Sequence, residues 1–301
     1  MRREQNRPRS SDGKTPVPLS RLQEQGKRRK RRLPLFLAGG VVSLLSAVVV
    51  MVAAGSLIAA PETDRARPAF GGKDPSGKLL ATIGESIGAD APDAKIALEP
   101  DETLVARVKR SARGINVFGR PGAKKPAHEI TRRDGQDGRL VFAATRQRGR
   151  WLKVMLPIRP NGSSGWIRRE MVDLSVSDWA AKVDLSDHVI SIRRGGETFG
   201  EWRIGLGQQE TPTPTGEYYM TELLKPRKPD TVYGAYVFVL SGFSEKLTRF
   251  AGGNGELGLH GTNDLSGLGR DVSHGCIRMR DGAITKLAKR LPLGTPITIV
   301  D

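Results

Sequence analysis

Apolar and polar positions follow four different regimes along the chain. Leu33 to Ala60 is a run of 28 residues without a charge, including Val48-Val49-Val50-Met51-Val52. At ~1.5 Å per residue such a run exceeds a hydrocarbon core of ~30 Å and predicts a single membrane-spanning helix. Residues 61–100 are rich in Pro, Ala, Gly and Asp and hold no sustained period, which predicts a mostly flexible linker with at most a short helix at Thr82 to Gly88. Residues 101–175 show short alternating stretches, Leu104 to Val108, Leu140 to Ala143 and Trp151 to Leu156, separated by Gly, Pro and Asn turns. That is the pattern of a small barrel of strands. Alternation resumes from Val183. Val189 to Ile192 and Trp202 to Leu206 flank Gly195-Gly196 and predict a hairpin, with further strands at Tyr218 to Thr221, Tyr236 to Leu240, Leu257 to His260 and Ile297 to Val300. One helix is expected: Asp281 reads as its cap, and Ile284, Leu287, Ala288 and Leu291 repeat at helical spacing before Pro292. The expected class is mainly β, with one helix packed on the carboxy-terminal domain (176–301).

Charge sharpens these boundaries. The net +17 is concentrated in two blocks: residues 1–32 hold 12 basic and 3 acidic side chains, and residues 101–175 hold 17 and 7. Residues 176–301 are balanced at 15 and 15. Lys27-Arg28-Arg29-Lys30-Arg31-Arg32 abuts the apolar run, whereas the stretch after Pro61 is of mixed charge, so the basic tail (1–32) is expected in the cytoplasm and everything after Pro61 outside the membrane. A cleaved secretory signal fits less well, because its apolar region is usually ~7 to 15 residues. No helix-turn-helix, zinc-finger or aromatic-basic strand motif accompanies the charge, and the expected topology keeps the middle block from nucleic acid. Clustered Lys and Arg in 101–175 would instead attract anionic polymers carrying phosphate or carboxylate, or serve as a solvated surface on a spacer. Trp151 and Trp166 read as core residues of this block rather than a ligand platform.

A single cysteine in the chain excludes an internal disulfide framework. That residue, Cys276, lies two positions after His274 and 16 after His260, within Gly258-Leu259-His260-Gly261-Thr262 and Ser273-His274-Gly275-Cys276-Ile277-Arg278-Met279. An ordinary thiol is only a few per cent ionised at neutral pH, so a nucleophilic role needs a neighbouring base or a positive field. Histidine is the side chain best suited to that task. Gly275 permits close backbone approach to a substrate, and a turn there could aim backbone N–H groups at a developing oxyanion. A lone Cys is otherwise a small core hydrophobe. Zinc on His260, His274 and Cys276 would need a further ligand and lacks the usual paired spacing, so no metal is expected. His128 and His188 read as ordinary surface or strand residues, and Gly252-Gly253-Asn254-Gly255 as a flap beside the active site rather than a phosphate loop.

Two resemblances follow from these residues. Trp151-Leu152-Lys153-Val154 with Arg159-Pro160-Asn161-Gly162-Ser163-Ser164-Gly165-Trp166-Ile167 resembles the last strands of bacterial SH3-type domains, in which a solvent-facing loop leads into a Gly-Trp-Ile strand. His260-Gly261-Thr262, then ten residues, then Ser273-His274-Gly275-Cys276-Ile277-Arg278-Met279, preceded by Pro212-Thr213-Pro214-Thr215-Gly216 and closed by Leu293 to Ile299, resembles the L,D-transpeptidase catalytic domain of the YkuD family. The resemblance implies a membrane-anchored bacterial enzyme with its catalytic domain on the cell-wall side. It acts on peptidoglycan stem peptides and needs neither ATP nor metal. A thiolate attacks the third stem residue, D-alanine leaves, and an amine on another stem resolves the acyl-enzyme as a 3→3 cross-link. By position, Cys276 is the nucleophile and His260 the general base, oriented by the Gly261 carbonyl. His274, Gly275 and Cys276 supply oxyanion donors, and Ser273, His274 and Arg278 line the substrate site. Arg278 stands where many members carry Asn, and Tyr233 and Tyr236 are equal candidates for a tyrosine that assists the oxyanion. Pro212 to Gly216 is expected to be a structural turn. Water or a protein amine could replace the stem amine as acceptor, giving an L,D-carboxypeptidase or a protein-attaching enzyme. A reading of another class is an inactive wall-binding module.

Overall fold

The computed structural model describes residues 94–132, 138–226, 232–250 and 253–301. The basic tail, the apolar run 33–60, the short helix at Thr82 to Gly88 and Gly252 lie outside the described residues. Among the described residues no helix is long and apolar enough to cross a membrane.

The first domain contains β1 (Ala94–Lys95), β2 (Thr103–Val108), β3 (Gly114–Val117), β4 (His128–Thr131), β5 (Val141–Arg148), β6 (Trp151–Met155), β7 (Ser164–Arg168) and β8 (Val172–Ser177). Its barrel-like sheet runs β7-β6-β5-β2-β8 with β1 added to β5, and β3 and β4 form a separate hairpin. Alternate residues of β2, β5, β6 and β7 point inward, so Leu104, Ala106, Phe142, Leu152, Val154 and Ile167 make one buried core. Trp151 and Trp166 are buried, as a core role requires. Ala94 and Lys95 pair with Gln147 and Arg146, and Ile96 and Leu98 pack on the same core.

The second domain contains β9 (Trp179–Asp184), β10 (Val189–Arg194), β11 (Glu197–Arg203), β12 (Leu206–Gly207), β13 (Gly216–Leu224), β14 (Val237–Phe243), β15 (Glu256–Thr262), β16 (Asp271–Ser273), β17 (Ile277–Arg280), α1 (Asp281–Ala288) and β18 (Pro296–Val300). Eight of these strands form one sheet in the order β11-β10-β9-β18-β13-β14-β15-β17. Gly195 and Gly196 both have positive φ (56° and 86°), the turn that matches the twist of a two-residue hairpin. Ala283, Ile284 and Leu287 of α1 pack onto the sheet beside Leu259, Ile277 and Met279. Asp281 is the first helical residue and not the cap; its carboxylate accepts the Ala235 N–H at 3.0 Å and ties the turn before β14 to the helix.

The two domains are packed together. In β13, Tyr218 and Met220 face the core of the second domain while Tyr219, on the opposite side, is buried in the core of the first. The Arg107 guanidinium donates to the Leu293 carbonyl at 3.0 Å, and Arg193 pairs with Asp101 at 2.9 Å. A cleft between the domains is lined by Phe142, Pro157, Glu222, Val239 and Glu256. The Arg159 to Gly162 loop is largely exposed, as expected, and Arg159 and Asn161 also bond backbone carbonyls at and just after the end of β14.

Candidate active site

Register assembles the site. β15 and β17 run parallel with His260 opposite Arg278 and Leu259 opposite Ile277, while β14 places Val237 opposite His260 and Val239 opposite Gly258. Side chains alternate across a sheet, so Leu259, Ile277 and Met279 enter the core and His260, Arg278, Val237 and Val239 share the other face. Cys276, one residue before β17, joins that face: its sulfur lies 3.7 Å from where a Cβ on Gly258 would sit. The Gly258 N–H is directed at the sulfur. Two motifs distant in sequence thus meet on adjacent strands.

The turn carrying Cys276 is fixed from beneath. Ser273 is 1% exposed, and its hydroxyl donates to the Cys276 carbonyl at 2.6 Å and accepts the Gly275 N–H at 3.1 Å. The Thr213 hydroxyl donates to the Gly275 carbonyl at 3.0 Å and accepts the Gly207 N–H at 2.9 Å. Gly275 has φ 112°, a conformation that disfavours any side chain. Ser273 therefore supports the turn from the interior, and the Gly275 amide is already engaged by its hydroxyl. In the Pro212 to Gly216 segment Thr213 and Pro214 are buried, whereas Pro212, Thr215 and Gly216 are exposed.

His260 is 3% exposed, and its Nδ1 lies 2.9 Å from the Gly261 carbonyl. A carbonyl only accepts, so Nδ1 carries the proton and Nε2 presents its lone pair. Burial, with a smaller contribution from the Arg278 guanidinium, pulls His260 down from 6.5 to about 4, against the opposing effect of the Gly261 bond. Burial pushes the Cys276 thiol above its ordinary value, while the Gly258 N–H and Arg278 hold it back. Cys276 as a residue is nonetheless partly exposed. The resting pair is therefore neutral thiol and neutral imidazole rather than thiolate and imidazolium. His274 is exposed at the rim, and burial of part of its ring, with Arg278, lowers its pKa as well.

Tyr233 and Tyr236 part company. The Tyr233 ring meets the His260 ring edge-on, 5.1 Å between centroids, and its hydroxyl is pushed up first by burial and then by the neighbouring Cys276. Tyr236 packs towards the main core, and its carbonyl accepts the Gly261 N–H at 3.1 Å. Phe250, which carried no signal in the sequence, stacks on the His274 ring at 4.6 Å and 28°. Its backbone and that of Gly253 exchange two hydrogen bonds, which places Gly253 beside Phe250. His188 lies elsewhere, paired with Asp271 at 2.9 Å, and His128 is exposed on β4. Among the described residues no three His, Cys, Asp or Glu side chains converge as a metal site.

Comparison with known proteins covers this domain. Residues 178–299 match the family model YkuD, the L,D-transpeptidase catalytic domain. The chain is 32% identical over 117 residues to the Bacillus subtilis (strain 168) protein named "Putative L,D-transpeptidase YkuD", covering 39% of this chain and 63% of that protein. It is 32% identical over 113 residues to "Putative L,D-transpeptidase YqjB" of the same strain, covering 34% and 60%. The chain thus spans less than two thirds of the length of these relatives. The solved structure of Bdellovibrio bacteriovorus Bd1075 is 30% identical and covers 42% of this chain and 48% of that one, with a TM-score of 0.34. Residues 178–299 are thus similar to the YkuD-type L,D-transpeptidase catalytic domain, and the similarity covers the strands and turn that carry His260 and Cys276.

Proposed function

We propose that the chain is a membrane-anchored peptidoglycan L,D-transpeptidase that forms 3→3 cross-links through a thioester on Cys276. The observation that carries this reading is that Cys276 and His260 lie on one sheet face, with Nδ1 of His260 2.9 Å from the Gly261 carbonyl and Arg278 opposite His260 in register. A donor stem lies along the groove with its third-residue carbonyl over the sulfur. Nε2 takes the Sγ proton as the C–S bond forms, so the negative charge appears on the carbonyl oxygen rather than on an isolated thiolate. The Cys276 and His274 amides receive that oxyanion, with the Tyr233 hydroxyl beside them. Collapse breaks the C–N bond, and the imidazolium, strongly acidic because its site disfavours charge, gives its proton to departing D-alanine. The acceptor amine then loses a proton to Nε2 and attacks the thioester, and the proton returns to sulfur as the new amide forms.

Arg278 keeps the thiol from rising further and disfavours the charged form of His260, so it tunes both partners. It is also placed to pair with a stem carboxylate. The basic SH3-like domain would hold the enzyme near anionic wall polymers, and residues 33–60 would retain it at the cell membrane with the catalytic domain on the wall side. Incubating the purified chain with tetrapeptide muropeptides tests the acceptor: dimers joined 3→3 are expected by mass spectrometry. Tripeptide alone would make the enzyme a carboxypeptidase, and no product, with Cys276 unacylated, would reduce it to a binding module.

A further inference from the structure

The turn between β6 and β7 of the first domain holds the lip of the active site in the second. Arg159 spans three carbonyls of the segment after β14: Nη1 donates to Ser244 at 2.8 Å, and Nη2 to Leu247 at 3.0 Å and Asn254 at 3.2 Å. Its guanidinium also lies over the Phe243 ring, 4.8 Å from the centroid. Asn161 pairs with the Phe243 backbone in both directions, accepting the N–H at 2.9 Å and donating to the carbonyl at 2.8 Å. Five hydrogen bonds from two side chains of one domain thus fasten the base of a segment whose Phe250 stacks on His274, two residues before Cys276. Within the segment, the Ser244 N–H donates to the Gly255 carbonyl at 2.8 Å and the Ser244 hydroxyl accepts the Leu247 N–H at 3.1 Å, so Ser244 links its two arms.

We infer that Arg159 and Asn161 are positioning residues for catalysis: by clasping Phe243, Ser244, Leu247 and Asn254 they fix the Phe250 and His274 stack that walls the groove beside Cys276. The barrel is in this sense part of the active site. The inference rests on the transpeptidase reading for its effect on rate, but the clasp itself does not depend on the reaction. Arginine suits the task because its planar fork serves several carbonyls at once, which a lysine ammonium on a single flexible stem does not reproduce. A group held out of place by about an ångström costs on the order of a hundredfold in rate even when the reacting atoms are intact.

The test uses the full-length chain with Arg159→Ala, Arg159→Lys, Asn161→Ala and Phe250→Ala. Three quantities are read: hydrogen exchange of amides 243–250 and 253–255, the pH profile of Cys276 alkylation by iodoacetamide, and kcat/KM with a tetrapeptide donor. In Arg159→Ala, exchange in the segment should accelerate at least tenfold, and kcat/KM should fall roughly tenfold to a hundredfold. The alkylation profile should stay within twofold, because the thiol and its base are untouched. Arg159→Lys should recover only part of the loss. On a Phe250→Ala background, Arg159→Ala should cost little more, since its route to the thiol is already cut. Unchanged exchange in the segment, or losses that multiply in the double variant, would overturn the inference. Asn161→Ala removes only two of the bonds and decides the question if Arg159→Ala does not fold. If the wild-type chain transfers no acyl group, the functional reading fails by itself, and exchange still decides whether the clasp exists.

Discussion

The buried neutral His260 has a consequence for stability that can be worked through. Unfolded, its imidazole titrates near 6.5; in the folded protein burial brings it to about 4. Between these values the unfolded chain binds a proton that the native chain refuses, so stability falls as pH falls through this window, and the loss is complete only below about 4. Going from pH 7 to 4.5, this one group removes roughly 2 to 3 kcal/mol. The perturbation is His260→Gln, whose amide can still donate to the Gly261 carbonyl but has no proton to gain. Urea unfolding of both proteins, followed by tryptophan fluorescence at pH 7, 5.5 and 4.5, separates His260 from the carboxylates, which titrate alike in the two. The wild type should lose about 2 to 3 kcal/mol more than the variant over this range. Parallel pH dependences would mean that the ring is solvated or charged in the native state, and the neutral-pair account would fall.

Three further outcomes are expected. Alkylation of wild-type Cys276 should rise with pH to a midpoint above the ordinary thiol value of 9.0, and Arg278→Gln should move that midpoint higher still, because the guanidinium favours the thiolate; a downward move would refute its electrostatic role. Ser273→Ala leaves the Gly275 N–H without its hydroxyl acceptor, and should cost about 1 to 3 kcal/mol in thermal or urea stability while lowering kcat more than it raises KM. Gly261→Ala should unfold or severely destabilise the catalytic domain, since a Cβ there would collide with the Asp281 carboxylate and lie 2.9 Å from Ile284 Cγ2; a cooperative melt close to wild type would contradict the packing described.

The pairing of Cys276 with His260 was legible because both sit in short glycine-flanked motifs whose residue types suit thiol chemistry. Their register was not, since which strands neighbour each other is a property of topology. Arg278 reads as an anomaly in sequence and as the partner of His260 once β15 and β17 lie parallel. Tyr233 and Tyr236 pack in different clusters, a difference that their spacing in sequence does not reveal. Strand β9 was read only from Val183, because Ala180 and Ala181 have weak strand preference although Trp179, Ala181 and Val183 alternate inward. Asp281 has the chemistry of a cap, but the approach of Ala235 gave its carboxylate a different donor. The basic surplus of 101–175 looked like surface charge, yet Arg107 and Arg159 are directed at carbonyls of the other domain. Composition cannot tell a solvated arginine from a docked one.

The central claim is that Cys276 forms a covalent acyl intermediate with a stem peptide using His260 as its base. Intact-mass and peptide-mapping spectrometry of the full-length chain, quenched shortly after mixing with a tetrapeptide donor, tests it most directly. The account predicts a tripeptide acyl adduct on the peptide containing Cys276, with one D-alanine released per adduct, strongly slowed in His260→Gln and absent in Cys276→Ala. An adduct on another residue, or one that persists in Cys276→Ala, would contradict it.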